Sequence, residues 1–324
     1  MEENTEQRVD LTLFSEKIQE LKDRIASVIV GQEQTVDLVL TAILANGHVL
    51  IEGVPGVAKT LLARLTARLI DADFSRIQFT PDLMPSDVLG TTVFNMKTNS
   101  FDFHQGPIFA DIVLVDEINR APAKTQAALF EVMEERQISI DGTTHRMGEL
   151  FTIMATQNPV EQEGTYKLPE AQLDRFLMKI TMDYPSLEEE VNILERHHTN
   201  AALVKLDDIV PAITKEELLS LRAFMNQVFV DRTLLQYVAL IVQQTRTSKA
   251  VYLGASPRAS VAMLQSSKAY ALLQGRDFVT PEDIKFVAPY VLQHRLILTA
   301  EAEMEGYSPV KVTQRLIDKV EVPK

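Results

Sequence analysis

The stretch Gly53-Val54-Pro55-Gly56-Val57-Ala58-Lys59-Thr60 decides the fold class. An apolar run, HVLIE at residues 48–52, leads into it. An amphipathic segment over residues 60–69 follows, with Leu61, Leu62, Leu65 and Leu69 on one side. Strand, glycine turn and helix together form the context that a phosphate loop requires. Small residues let backbone N–H groups approach phosphate oxygens. The helix N-terminus adds unpaired donors and the positive end of a dipole. Lys59 is placed to reach the β- and γ-phosphates, and Thr60 to hold Mg2+. The usual pattern is G-x-x-x-x-G-K-[ST], and Ala58 stands where its second glycine belongs. A methyl group is tolerable there if that residue is already helical with negative φ.

A second motif lies downstream. Ile112-Val113-Leu114-Val115 is an apolar strand that ends in Asp116 and Glu117. Ligands of open α/β sheets bind at the C-terminal ends of strands. Two carboxylates there are costly without a cation. Asp116 is expected to hold Mg2+ through water, and Glu117 to act as general base on the attacking water. Further apolar runs at residues 74–79, 151–155 and 176–180 alternate with helical stretches. That rhythm indicates a parallel sheet covered by helices. TTVFNMKTNSFDFHQ at residues 91–105 and QISIDGTTHRM at 137–147 read as β-hairpins, the second turning at Asp141-Gly142. After about residue 184 the strand signal fades and helix starts recur, at Thr214-x-x-Glu217 and at Thr280-Pro281-Glu282-Asp283. The expected division is a loose tail at 1–12, an α/β domain at 13–185 and a smaller all-helical domain at 186–324.

Composition narrows the function. The 324 residues contain no cysteine, which removes disulfides, thiolate zinc sites and a cysteine nucleophile. The six histidines form no HExxH motif, and the adjacent His197 and His198 read as surface residues. Net charge is −13, from 32 basic and 45 acidic residues, which argues against coating of nucleic acid. No run reaches the length of a transmembrane helix, and the polar N-terminus lacks a signal-peptide pattern. The expected location is the cytoplasm.

Taken together, these residues resemble the AAA+ ATPases, and most closely the MoxR family, over roughly residues 27–310. GVPGVAKT matches the MoxR form of the phosphate loop, alanine included. Ile29-Val30-Gly31-Gln32 matches the segment that contacts adenine, and Asp116-Glu117-Ile118-Asn119-Arg120-Ala121 the acid motif. Ala155-Thr156-Gln157-Asn158-Pro159 matches sensor 1, Leu173-Asp174-Arg175-Phe176 the arginine-finger segment, and Gly254-Ala255-Ser256-Pro257-Arg258-Ala259 sensor 2.

The resemblance implies an AAA+ core with a five-stranded parallel sheet, a helix-2 insert, a pre-sensor-1 hairpin and a helical lid. It implies ATP and Mg2+ bound in a homo-oligomeric ring, expected to be a hexamer. In that picture Asn158 orients water, Arg258 contacts the nucleotide of its own chain, and Arg175 reaches the γ-phosphate of the neighbouring subunit. Arg120 is a second interface candidate that would otherwise brace the acid strand. MoxR-like proteins act as chaperones in the maturation of protein complexes, often with partners carrying von Willebrand factor A domains. The alternatives are a metal-insertion subunit of the magnesium-chelatase type and a nucleic-acid motor.

Overall fold

The structure, a computed structural model, describes residues 11–158, 166, 168–199 and 209–323. Most of the expected tail at 1–12, and Pro159 of the sensor 1 match, lie outside them. Helices α1 (Leu11–Val28) and α2 (Glu33–Leu44) precede β1 (Val49–Gly53), α3 (Lys59–Leu69) and β2 (Phe74–Gln78). A short α4 (Pro85–Leu89) leads into the hairpin β3 (Gly90–Asn95) and β4 (Ser100–Gln105). Then come β5 (Ile112–Asp116), α5 (Ala123–Glu135), the hairpin β6 (Gln137–Ile140) and β7 (Thr143–Arg146), β8 (Thr152–Gln157), α6 (Glu170–Leu173) and β9 (Met178–Met182). The rest is helical: α7 (Leu187–His198), α8 (Lys215–Phe224), α9 (Arg232–Thr247), α10 (Pro257–Leu273), α11 (Pro281–Leu292), α12 (Ala300–Met304) and α13 (Pro309–Asp318). One short strand pair, β10 (Val251–Leu253) with β11 (Ile297–Leu298), interrupts this helical part.

Five strands form one sheet in the order β2-β5-β8-β1-β9, and every pairing in it is parallel. All five residues of β5 and five of the six in β8 are buried, which is why both strands read as continuous apolar runs. The last strand begins at Met178, two residues later than the apolar run at 176–180 suggests. Parallel pairing puts the C-terminal ends of all five strands on one edge of the sheet. Asp116 lies opposite Gln78 there, and Gly53 opposite Met182.

Both expected hairpins form. Asp141 and Gly142 have φ of 49° and 79°, the two left-handed residues that a tight type I′ turn demands. The hairpins meet where the Phe103 and His145 rings lie 4.3 Å apart. Phe94, Met96 and Phe101 on the first hairpin stay exposed.

The helical part shares a core with the sheet, running from α1, α2 and α3 through β1 to α9, α10, α11 and α13. Capping boxes at Ser186, Thr214 and Thr280 start α7, α8 and α11, each satisfying N–H groups that helix geometry leaves unpaired. Arg295 ties the helical part to the sheet: it pairs with Asp174 at 2.7 Å and donates to the carbonyls of Phe176 and Leu177 at 2.7 and 3.1 Å.

Two histidines sit inside this core. His48 Nδ1 accepts the Ile153 N–H at 3.0 Å, which leaves the proton on Nε2, facing the Met133 carbonyl at 3.2 Å. Burial, reinforced by Arg136, lowers its pKa to about 3. Burial and then Arg295 push His294 well below the ordinary value. Both rings are therefore neutral when folded and take up a proton on unfolding. Stability from this source is complete above the ordinary histidine pKa and declines as pH falls below it, by about 1.4 kcal/mol per pH unit per histidine. Chemical unfolding at stepped pH from neutral to 5 is expected to show this loss. The slope in His48→Asn should be shallower by about one proton.

Candidate active site

The phosphate loop crosses the C-terminal edge of β1. At Gly53 an added Cβ would lie 2.8 Å from the Met182 carbonyl, so β9 packs directly against the start of the loop. Gly56 has φ of 90° with open space around it, so conformation rather than crowding demands glycine. Ala58 corrects the expectation drawn from its sequence position. Its φ is 62° and ψ 24°, a left-handed residue capping α3, not a helical one with negative φ. The chain turns into α3 at this point, and only a left-handed residue lets Lys59 begin the helix in that direction. Lys59 Nζ donates to the Gly53 carbonyl across the loop. Val57 is buried beneath it, Val54 is half-buried, Pro55 is exposed, and Leu61 packs on the core.

Asp116 ends β5 and is buried. Its Oδ1 accepts the Thr156 hydroxyl of β8 at 3.0 Å. Its Oδ2 faces the Thr60 hydroxyl at 3.5 Å and accepts from Arg76 Nε of β2 at 2.6 Å. Glu117 is left-handed, with φ of 57° and ψ of 49°. Its N–H donates to the Thr156 hydroxyl at 3.0 Å. Its carboxylate accepts from Gln78 Nε2 at 2.8 Å and pairs with Arg120 Nε at 3.2 Å, so Arg120 braces the acid motif in this chain. Asn158 is buried just past β8, the strand beside β5. Lys59, Thr60, Asp116, Glu117 and Asn158 thus gather on one edge of the sheet.

Two polar residues in this cluster, Arg76 and Gln78, fall in none of the motifs read from the sequence, and Thr156 enters there only as part of the sensor 1 segment, with no role of its own. Arg76 and Gln78 are two apart on β2, where period two puts both on one face beside the acids. That spacing was the available signal.

Ile29 is buried, and Gly31 has φ of 72°. A Cβ on Gly31 would sit 2.2 Å from the Glu189 carboxylate. Glu189 follows β9, whose last residue lies beside Gly53, so residues 29–31 reach the loop's edge of the sheet.

Arg175 and Arg258 are elsewhere. Arg175 precedes β9 and donates to the Phe130 carbonyl on α5. It does not take Asp174, which Arg295 holds. Arg258, in the first turn of α10, pairs with Glu134 at 3.3 Å and approaches Asp174 at 3.9 Å. Residues before β9 and at the end of α5 lie at the N-terminal edge of a parallel sheet, about 16 Å from the loop for a five-residue strand. The structure therefore does not bring Arg258 to the phosphate loop of its own chain, contrary to expectation. The reason is the packing of α10, whose start meets the segment entering β9 rather than the segment leaving β1.

Two stability changes follow from these contacts. Ala58→Gly should raise the unfolding free energy by about 1 kcal/mol, by relieving a left-handed alanine. Thr156→Val should lower it by about 1–3 kcal/mol, since the Glu117 N–H and Asp116 Oδ1 both lose a partner. Equilibrium denaturation of both variants checks this.

Comparison with known proteins agrees with the geometry. The model for the ATPase family associated with various cellular activities (AAA) matches residues 48–178, and the AAA lid domain model matches residues 243–318. The uncharacterized protein YeaC of Bacillus subtilis is 48% identical over 93% of each chain. The chaperone MoxR1 of Mycobacterium tuberculosis is 45% identical over 93% of this chain and 81% of its own. The crystal structure of a putative ATPase from Cytophaga hutchinsonii superposes with a TM-score of 0.88 at 40% identity, over 97% of both chains. With both the ATPase core and the lid matched, and relatives named MoxR at 45% and 30% identity, the chain belongs to the MoxR family of AAA+ ATPases.

Proposed function

We propose that this chain is a Mg2+-dependent ATP hydrolase that works as a homo-oligomeric ring, a hexamer, and couples hydrolysis to the remodelling or maturation of protein complexes. The observation that carries the reading is separation. The loop and the acids share one edge of the sheet, while Arg175 and Arg258 lie at the other. Within one chain the two sets do not meet, which supports a reading in which a second chain presents one to the other. The chaperone name of a relative 45% identical supports the client class; von Willebrand factor A domain proteins are proposed as partners on the family resemblance alone. Among the described residues no helix is long and apolar enough to cross a membrane. The proposed setting is the cytoplasm.

In this mechanism the loop N–H groups and Lys59 hold the phosphates, and Ile29, Val30 and Gly31 receive the adenine. The Thr60 hydroxyl and Asp116 carboxylate are hard oxygen donors, and Arg76 already stands as a cation against the same carboxylate, so the site fits a divalent ion. Held by Thr60 and Asp116, Mg2+ would supply positive charge that offsets the charge of the phosphates. Glu117 takes a proton from the attacking water, for which it must leave Gln78 and Arg120. Asn158 orients that water. Arg175, with Arg258 beside it, meets the γ-phosphate held by the adjacent subunit. The two hairpins carry the resulting movement to the client.

Glu117→Gln is expected to bind ATP and to hydrolyse it at least about 100-fold more slowly. Near-normal turnover would remove Glu117 as the base. Arg175→Ala should cost about 10³-fold or more. Mixing Lys59→Ala with Arg175→Ala chains should recover part of the activity that each lacks alone. Turnover per chain should also rise with protein concentration as sedimentation shows large assemblies forming. Full activity in a persistent monomer would end the ring reading.

A further inference from the structure

We propose that Arg76 is a resident counter-ion that keeps the metal position on Asp116 closed until a divalent cation arrives together with nucleotide. The inference rests on the assignment of Thr60 and Asp116 to Mg2+ made above. The Asp116 side chain is nearly enclosed, with 9% of its surface exposed. Its two oxygens face different ways. Oδ1 is engaged inside the sheet by Thr156. Oδ2 is turned to the Thr60 hydroxyl at the start of α3, and that is the oxygen Arg76 Nε reaches at 2.6 Å. Mg2+, or a water molecule that it carries, would need that same oxygen. A guanidinium on Oδ2 already takes it, so the two cations compete for one carboxylate oxygen.

The position of Arg76 suits a group that leaves. It sits on β2, at the edge of the sheet, and half of its side chain is exposed. Its other hydrogen bond goes to Gln78 Oε1 at 3.2 Å, also at the surface. It can therefore swing into solvent without opening the core. Asp116 cannot be left alone, because a buried carboxylate without a cation is costly. With no nucleotide present, a metal ion lacks the phosphate oxygens and gains too little from Thr60 and Asp116 to displace an arginine already in place. Phosphate oxygens add both ligands and negative charge and turn the balance toward the metal. Arg76 is thus a positioning residue that makes metal capture conditional on nucleotide.

The test uses the full chain and two readouts. In the first, thermal unfolding is followed without nucleotide, in EDTA and in millimolar MgCl2. The wild-type midpoint should not respond to Mg2+. Arg76→Gln should unfold at a lower temperature in EDTA and recover as Mg2+ is added. Combining it with Asp116→Asn should abolish that recovery, and Arg76→Lys, which keeps the charge, should behave as wild type. In the second readout, the Mg2+ needed for half-maximal binding of fluorescent ATP should fall about threefold to tenfold in Arg76→Gln. Equal Mg2+ responses in wild type and Arg76→Gln, or an unchanged Mg2+ requirement for ATP, would overturn the proposal. Failure of the wild type to bind ATP at any Mg2+ concentration would instead overturn the nucleotide reading, and the nucleotide-free measurement would still decide the role of Arg76.

Discussion

A carboxylate enclosed at the end of a buried strand needs a positive partner, and the site is arranged around that requirement. Asp116 lies where β5 leaves the apolar interior. Three elements answer it: β2 with Arg76, β8 with Thr156 and α3 with Thr60. Each can do so because parallel pairing aligns the same ends of neighbouring strands. Had β5 run antiparallel to β8, its last residue would face the start of that strand, and Thr156 would lie a strand length away. Sheet polarity and the burial of one charge therefore determine which residues can act together.

Two residues at this edge hold backbone conformations that side chains disfavour. Ala58 and Glu117 are both left-handed, at a cost of order 1–3 kcal/mol each. Each stands just before a helical segment: Ala58 at the end of the loop before α3, and Glu117, directly after β5, before the helical turn at Ile118–Arg120. At Ala58 the turn aims the N-terminus of α3 across the loop. At Glu117 it lifts the carboxylate out of the strand direction, toward Gln78 and Arg120. The N–H of the strained Glu117 goes to Thr156, whose hydroxyl also serves Asp116, so one side chain stabilises both acids. The strain is held by contacts that depend on the sheet being intact.

Much of this edge could be read from the sequence because each part is signalled locally. A strand, a glycine turn, a Lys-Thr pair and a strand ending in two acids lie in short contiguous runs. The hairpin at Asp141-Gly142 is equally local. What stayed hidden depends on partners distant in the chain. Arg76 and Gln78 sit in FSRIQ, where the buried residue is Ile77, so the flanking polar pair reads as an ordinary solvent face. Only the pairing of β2 with β5, about 40 residues away, turns that face into a binding face. The backbone of Ala58 was misjudged for a related reason: helix propensity describes the residues that follow it, whereas its own φ is set by the angle between β1 and α3. The place of Arg258 depends on which edge of the sheet meets α10, and chain order carries no information about that.

The arginines at the far edge have partners in this chain whose strength is modest. Arg258 is 64% exposed and Glu134 38%, a setting in which an ion pair contributes about 0–1 kcal/mol. Arg295 is different: 5% exposed, bound to Asp174 and to several carbonyls, it is a fixed structural tie. Because Arg295 satisfies Asp174, the carboxylate next to Arg175 is already neutralised and does not retain it. Arg258 can therefore exchange its present contact for a stronger anion at little cost, whereas Arg175, half-buried, would have to leave the Phe130 carbonyl. In the proposed ring, a γ-phosphate from another chain would be such an anion, since it carries more charge than a carboxylate and accepts a guanidinium in a bidentate manner. The Arg295–Asp174 pair thus keeps the segment before β9 in place while leaving the exposed Arg258 available, a division of labour that the proposed shared site would use.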